Sequence, residues 1–283
     1  MNAEQERFRF NPEGALWRVS RERAILLAGS SALLKQLAYP PVAEALEHTG
    51  RLERNPVGRL RRNAQAGFDL IFGTEVEVKR ITDEINSIHR DPDLQLEITT
   101  TTGVHKKGTK FSPRTQEGLG VVGATLIEGS VEGYRTFVGK ISESERDEYA
   151  KEAKELFSYM GLKPESLPDT YDGIREHLEK MIEDERIAVG AVAMRLAPYT
   201  MLAHTPLRKL LTGSLRIFTY SLLPESLLKQ YGYKPTSGER KTARRRAEDI
   251  KKVVPKLPEV VRYNPQYRSA QEMLKEGVSY SSL

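Results

Sequence analysis

The chain has 283 residues, with 44 Lys or Arg against 39 Asp or Glu and a net charge of +5. A chain of this length buries about three-quarters of its unfolded surface, so one core needs neither disulfides nor a structural metal. The mild positive balance does not imply nucleic acid, and the absence of cysteine excludes thiolate ligation and a disulfide scaffold.

The amino terminus, Met1-Asn2-Ala3-Glu4-Gln5-Glu6-Arg7, is polar and lacks an apolar signal region. A helix is expected over about residues 21–38, with Leu26, Leu27, Leu33, Leu34 and Leu37 as a broad apolar face. Pro40-Pro41 ends it, and a shorter helix runs to about His48. The next helix, over 57–72, opens on the basic turn Gly58-Arg59-Leu60-Arg61-Arg62-Asn63. Arg59, Arg62 and Asn63 share a face, while Arg61 points elsewhere. The three either converge on an anionic or polar ligand or form a solvated basic face.

Thr74 and Glu77 make a capping box that starts another helix. Val78, Ile81, Ile85 and Ile88 form its apolar stripe. His89 closes it at the stripe's edge, with Thr82 and Asn86 on the same flank, before Asp91-Pro92 stops the helix. His89 reads either as a half-buried histidine near a helix C-terminus, where the dipole favours its cation, or as a ligand entering a pocket. In a chain with five histidines and no nucleotide fingerprint, it heads a short list of nitrogen and oxygen ligands.

Leu94, Leu96 and Ile98 alternate with polar residues before four threonines, which is a strand signal. Gly103 and Gly108 bracket a turn, and a second strand near 109–112 makes a small hairpin. It reads more readily as a surface excursion than as a cover over a pocket mouth. Gly118, Gly120, Gly123, Gly129 and Gly133 punctuate the helical stretch that follows, and glycine there costs about 1 kcal/mol each against alanine. Such spacing calls for a close approach, by a crossing helix or by a flat cofactor, and Glu128 is a candidate polar pocket residue. Ser142 and Glu145 cap an amphipathic helix over 142–159. A further helix is expected over 172–187 with His177 exposed. The apolar stretch 187–203 is interrupted by Arg195 and Pro198, which favours a buried helix and a turn over a membrane span. His204 falls in a turn, and residues 239–252 read as a solvated basic helix. The whole is mainly α, a single multi-helix domain with a small β-hairpin insertion, and the expected setting is the cytoplasm.

Several motifs occur in a recognisable order. They are Trp17-Arg18-Val19-Ser20-Arg21-Glu22, Gln36-Leu37-Ala38-Tyr39-Pro40-Pro41-Val42-Ala43, Asn55-Pro56-Val57-Gly58-Arg59-Leu60, Phe72-Gly73-Thr74 and Ile88-His89. Gly108-Thr109-Lys110-Phe111-Ser112, Ala124-Thr125-Leu126, Phe137-Val138-Gly139-Lys140-Ile141-Ser142-Glu143 and Leu167-Pro168-Asp169-Thr170 follow. A tail at Leu257-Pro258, Arg262 and Pro265-Gln266-Tyr267-Arg268 completes the set. In this order the sequence resembles the latex-clearing-protein-like oxygenases, a family that includes the membrane-bound oxygenase of mycophenolic acid biosynthesis. The resemblance implies a helical domain with a globin-like core that holds b-type haem and uses dioxygen. It places the proximal histidine on His89 and the arginine-rich turn on Arg59 to Asn63. Three polar positions depart from the pattern. Tyr39-Pro40 stands where relatives commonly have His-Pro, Asn63 where threonine is common, and Val121-Val122-Gly123 where Trp-Val-His is usual.

The resemblance thus implies a haem b-dependent oxygenase acting with dioxygen on a small hydrophobic organic substrate, while the mild charge and the interrupted apolar stretch 187–203 lead to the expectation of no nucleic-acid partner and no membrane span. His89 would ligate iron, with Asn86 on its flank. Arg59 and Arg62 would neutralise haem propionates or hold a polar substrate group. Asn63 would supply an amide, and Tyr39 a second ligand or a hydrogen-bond donor. The alternative is a haem-free member of the same fold, acting as a binding protein or a cofactor-independent catalyst.

Overall fold

A computed structural model describes residues 7–50, 54–88, 94–200 and 208–280, with side chains other than those of 87–88 and 208–214. In chain order, β1 (Arg7–Phe8) precedes α1 (Ala15–Ser20), a 3₁₀ segment (Arg23–Ala28), α2 (Gly29–Leu37) and α3 (Pro40–Thr49). Next come α4 (Pro56–Phe72), α5 (Glu75–Ile88), β2 (Leu96–Glu97) and β3 (Lys110–Phe111). The long α6 (Gln116–Phe137) leads to α7 (Glu143–Ser158), α8 (Tyr171–Glu183) and α9 (Ala191–Thr200). They are followed by α10 (Arg208–Ser221), α11 (Glu225–Gln230), α12 (Ser237–Val253), α13 (Glu259–Arg262), α14 (Pro265–Lys275) and β4 (Ser279–Tyr280). The fold is mainly α. No helix among the described residues is long and apolar enough to cross a membrane.

The glycine-rich α6 is the central element, packed by the 3₁₀ segment, α2, α7, α8 and α12. Its glycines admit neighbouring helices. A Cβ on Gly133 would lie 3.0 Å from the Ile25 carbonyl oxygen, one on Gly129 would lie 3.0 Å from Ala32 Cβ, and one on Gly123 would lie 3.3 Å from the Phe157 ring. Close helix packing therefore accounts for all three. The main core around α6 includes Trp17, Phe72, Ile127, Tyr149 and Ile174.

Most elements form where the sequence places them. Asn55 accepts from Gly58 N at 2.9 Å to start α4, and Pro56 occupies its first turn. Thr74 N donates to Glu77 at 2.9 Å at the head of α5, and Ser142 with Glu145 makes a complete capping box on α7. His89, Asp91-Pro92 and His204 lie outside the described residues.

Three expectations are corrected. The helix anticipated over 21–38 is divided, because Glu22 is extended (φ −79°, ψ 112°) and only α2 resumes α-helical winding. Glu22 is held there by burial and by Arg262, and Leu26 on the intervening 3₁₀ segment is 46 % exposed rather than part of a continuous apolar face. The helix expected over 172–187 ends at Glu183, two residues before Glu185 adopts φ +54°, and His177 is half-buried rather than exposed. The hairpin pairs Leu96 with Phe111 and Glu97 with Lys110 as expected, but it is docked on the body. Glu44 accepts from both the amide and hydroxyl of Thr99 at 2.8 and 2.7 Å, and Val104 N donates to Glu185 O at 3.3 Å. Gly103, at φ +54°, lets this turn approach so closely that a Cβ would fall 2.0 Å from Glu185 O.

Candidate functional site

Pro40 forces Tyr39 into an extended conformation (φ −91°, ψ 107°), which caps α3 and turns the phenol inward against the start of α6. Burial, followed by the neighbouring Glu117 carboxylate, pushes the phenol well above its ordinary pKa. Tyr39 is consequently a neutral hydroxyl. Glu117 is itself clamped by Arg186, with Nε to Oε1 at 3.0 Å and Nη2 to Oε2 at 2.5 Å. The His105 ring stands edge-on to Tyr39 at 5.3 Å between centroids, and its Nε2 lies 3.0 Å from the Arg186 carbonyl oxygen. One residue before the α6 cap Thr115, Arg114 donates to Asn86 Oδ1 at 3.1 Å. The start of α6 thus brings Tyr39 and Asn86 to one end of the fold.

The basic turn is placed differently. Arg59 is half-buried and donates to Thr49 Oγ1 at 3.2 Å, which ties it to the end of α3. Arg61, Arg62 and Asn63 are exposed.

A second polar line runs along α6 toward α2 and α8. Gln36 donates to Thr125 at 3.1 Å, the buried Lys35 pairs with Glu128 at 2.5 Å, and Tyr171 donates to Glu132 at 2.9 Å. Glu128 is therefore held by Lys35. Sequence reasoning missed Glu117, Arg186, Lys35 and Gln36. The available signal was the recurrence of Glu117, Thr125, Glu128 and Glu132 along one face of a glycine-rich helix.

The described donors can be tested against a haem. Tyr39 is a poor iron ligand here, because its neutral form is favoured and its hydroxyl faces a carboxylate. His105 is engaged with Arg186 O, and His48 is exposed. His177 is half-buried and has its pKa lowered, chiefly by burial and then by Arg186. Among the described residues no cluster of three His, Cys, Asp or Glu side chains is built to hold a metal ion. The paired helices α4 and α5 leave one polar atom unsatisfied and one glycine position open among the described residues. Thr82 Oγ1, one turn before Asn86 on α5, is shut off from solvent with no hydrogen-bond partner among the described residues. Leu60 and Ala64 on α4 and Ile85 on α5 are half-buried apolar side chains, and a Cβ on Gly67 would meet nothing within 4 Å. By contrast, the face of Gly123 is filled by Phe157, Leu162 and Leu167. A separate cleft of about 540 Å³ between the hairpin and α9 is lined by residues including Thr100, Thr102, Glu185 and Gln230. None of the sequence-derived site residues lines it.

Neither among curated proteins nor among solved structures does any match the chain. Residues 17–250 match the model of the family described as ER-bound oxygenase mpaB/B'/Rubber oxygenase, catalytic domain. With the match running from the buried Trp17 through α1 to α11 and most of α12, this chain belongs to the mpaB and rubber oxygenase catalytic-domain family.

Proposed function

We propose that this protein is a haem-dependent oxygenase that uses dioxygen to oxidise a hydrophobic organic substrate. The observation that carries the reading is the match of residues 17–250 to an oxygenase catalytic-domain family, beside a Thr82 hydroxyl on α5 that is buried without a hydrogen-bond partner among the described residues. Bound b-type haem would supply dioxygen binding and the redox chemistry that the protein's own side chains lack. The chain's residues supply position and charge. His89 would hold the iron through an imidazole nitrogen, and Asn86, which accepts from Arg114, lies three residues before it in the chain. Arg59 and Arg62 present guanidinium groups matched to carboxylates, either the propionates or a polar substrate group. Asn63 adds an amide beside them. Tyr39, kept neutral by burial and Glu117, serves as a hydrogen-bond donor rather than as a phenolate.

A second reading is favoured by the packed face at Gly123: a haem-free member that binds a carbonyl or carboxylate compound with Arg59, Arg62, Asn63 and Tyr39. Haem titration separates the two. Purified protein is expected to develop a saturable Soret band, His89→Ala to lose it while remaining folded, and His177→Ala to keep it. No saturable change in either oxidation state removes the haem reading in favour of the second. Normal iron ligation in folded His89→Ala removes the ligand assignment.

A further inference from the structure

The chain's net charge is concentrated in one segment. Residues 239–256 hold eight cationic side chains, Arg240, Lys241, Arg244, Arg245, Arg246, Lys251, Lys252 and Lys256, against Glu239, Glu248 and Asp249. That excess of five equals the +5 of the whole protein, so the remainder is neutral overall. Most of this charge lies on α12, whose inner side is anchored by the buried Ala243 and Ala247. Lys241, Arg244, Arg245 and Lys252 are exposed, and their spacing of three, one and seven residues lays them along one outer side.

This cationic side leads into an exposed apolar tip. Val253 is 53 % exposed, Val260 56 % and Val261 51 %, all on the short connection from α12 through α13. Pro255 and Pro258 between them are also exposed, and Leu257 is half-buried. Lys252 and Lys256 flank the tip, and both are exposed. Elsewhere on the described surface, large exposed apolar residues occur singly along the chain, as at Val76 and Val104. Scattered apolar side chains need no partner, whereas a patch rimmed by charge does, and here the exposed Glu259 beside Val260 is outnumbered by Lys252 and Lys256.

We infer that the α12–α13 tip is a membrane-docking surface for anionic phospholipid bilayers, with Val253, Val260 and Val261 entering the interface and Lys252, Lys256 and the α12 cations meeting the headgroups. The charge selects the partner. A neutral protein surface would leave the lysines without a counter-charge, and nucleic acid would leave the valines in water. An anionic lipid surface satisfies both, because interfacial insertion scales with buried apolar area while each Lys or Arg near the surface adds attraction. The tip itself lies past residue 250, where the family match ends. Docking here would hold the protein against a phase in which hydrophobic molecules concentrate. The inference stands apart from the haem assignment, since vesicle binding is read without activity.

Co-sedimentation of the full chain with phosphatidylcholine vesicles, with and without phosphatidylglycerol, tests it. Binding is expected only to the anionic vesicles and is expected to weaken with salt. Val260→Asp/Val261→Asp and Lys252→Glu/Lys256→Glu should each weaken binding about tenfold or more, and Val76→Asp on α5 should leave it unchanged. Melting curves identify any variant that fails to fold, and the lysine pair keeps the test open if the valine pair does. Failure of the wild-type chain to bind anionic vesicles, or binding by both tip variants as strong as that of the wild type, overturns the inference. A concentration-dependent dimer that the valine variant abolishes, with no vesicle binding, overturns it in favour of contact between copies of the chain.

Discussion

Glu152 carries an unusual burden for a carboxylate. Its Oε2 accepts from Leu16 N at 2.7 Å, capping α1 from another helix, and its Oε1 sits where a Cβ on Gly14 would be, 2.2 Å away. Burial, with Glu148 and Glu155 nearby, raises its pKa from 4.5 to about 7 despite the Leu16 bond. Between those values the folded chain holds a proton that the unfolded chain has released. The stability contributed by protonated Glu152 is thus complete below 4.5 and is lost as pH rises through about 7. Glu152→Gln should flatten the decline in melting temperature between about pH 5 and pH 8. Parallel profiles for variant and wild type would remove Glu152 as the cause.

The central α6 shows what glycine contributes at the level of an entire helix. Gly133 faces the Ile25 backbone at 3.0 Å from its oxygen and 3.2 Å from its Cα, so an added methyl must displace main chain. Gly133→Ala is expected to lower unfolding free energy by about 1 to 3 kcal/mol in chemical denaturation. Gly67→Ala on α4, with open space around it, should instead raise it by about 0.5 to 1 kcal/mol. Equal effects would mean that the close approach along α6 does not limit packing. Local signals made much of this architecture legible: capping boxes marked the starts of α5 and α7, and alternation marked the hairpin. The break at Glu22 was hidden because its cause, Arg262, lies far along the chain. The Tyr39, Glu117 and Arg186 cluster was hidden for the same reason, as three separate elements must meet before the phenol acquires its carboxylate neighbour. The family motifs identified residues by type and order, but not that Arg62 and Asn63 would be exposed while Arg59 turned to Thr49.

Across the whole molecule, the last described segment binds the first helices together. Asn264 N donates to Arg21 O at 2.9 Å and its side-chain amide to Ser20 O at 2.6 Å. The Arg21 guanidinium lies over Tyr263 and Tyr267, 4.9 and 5.7 Å from their ring centroids. Arg7 and Phe8 pair in parallel with Ser279 and Tyr280. Arg262 reaches the fully buried Glu22 with two bonds of 2.8 and 2.6 Å. Removing this guanidinium leaves a buried carboxylate without its main counter-charge, so Arg262→Ala should cost about 3 to 5 kcal/mol in unfolding free energy. A loss below about 1 kcal/mol, the range of exposed pairs, would show that the clamp is dispensable.

Trp17 is the chain's single tryptophan, and its indole is fully buried. Phe8 and Phe72 meet it edge-on at 5.2 Å, and Tyr267 at 6.1 Å. The ring therefore touches β1, the end of α4 and the last long helix at once. Its emission has one source and one environment, so the protein carries a built-in optical gauge of whether its two ends are docked. If the carboxy-terminal segment opens as a unit of its own, as locally cooperative segments do, the indole becomes wet while the central helices remain wound. Fluorescence and circular dichroism would then part company, and the gap between their transitions would measure the free energy of that opening alone.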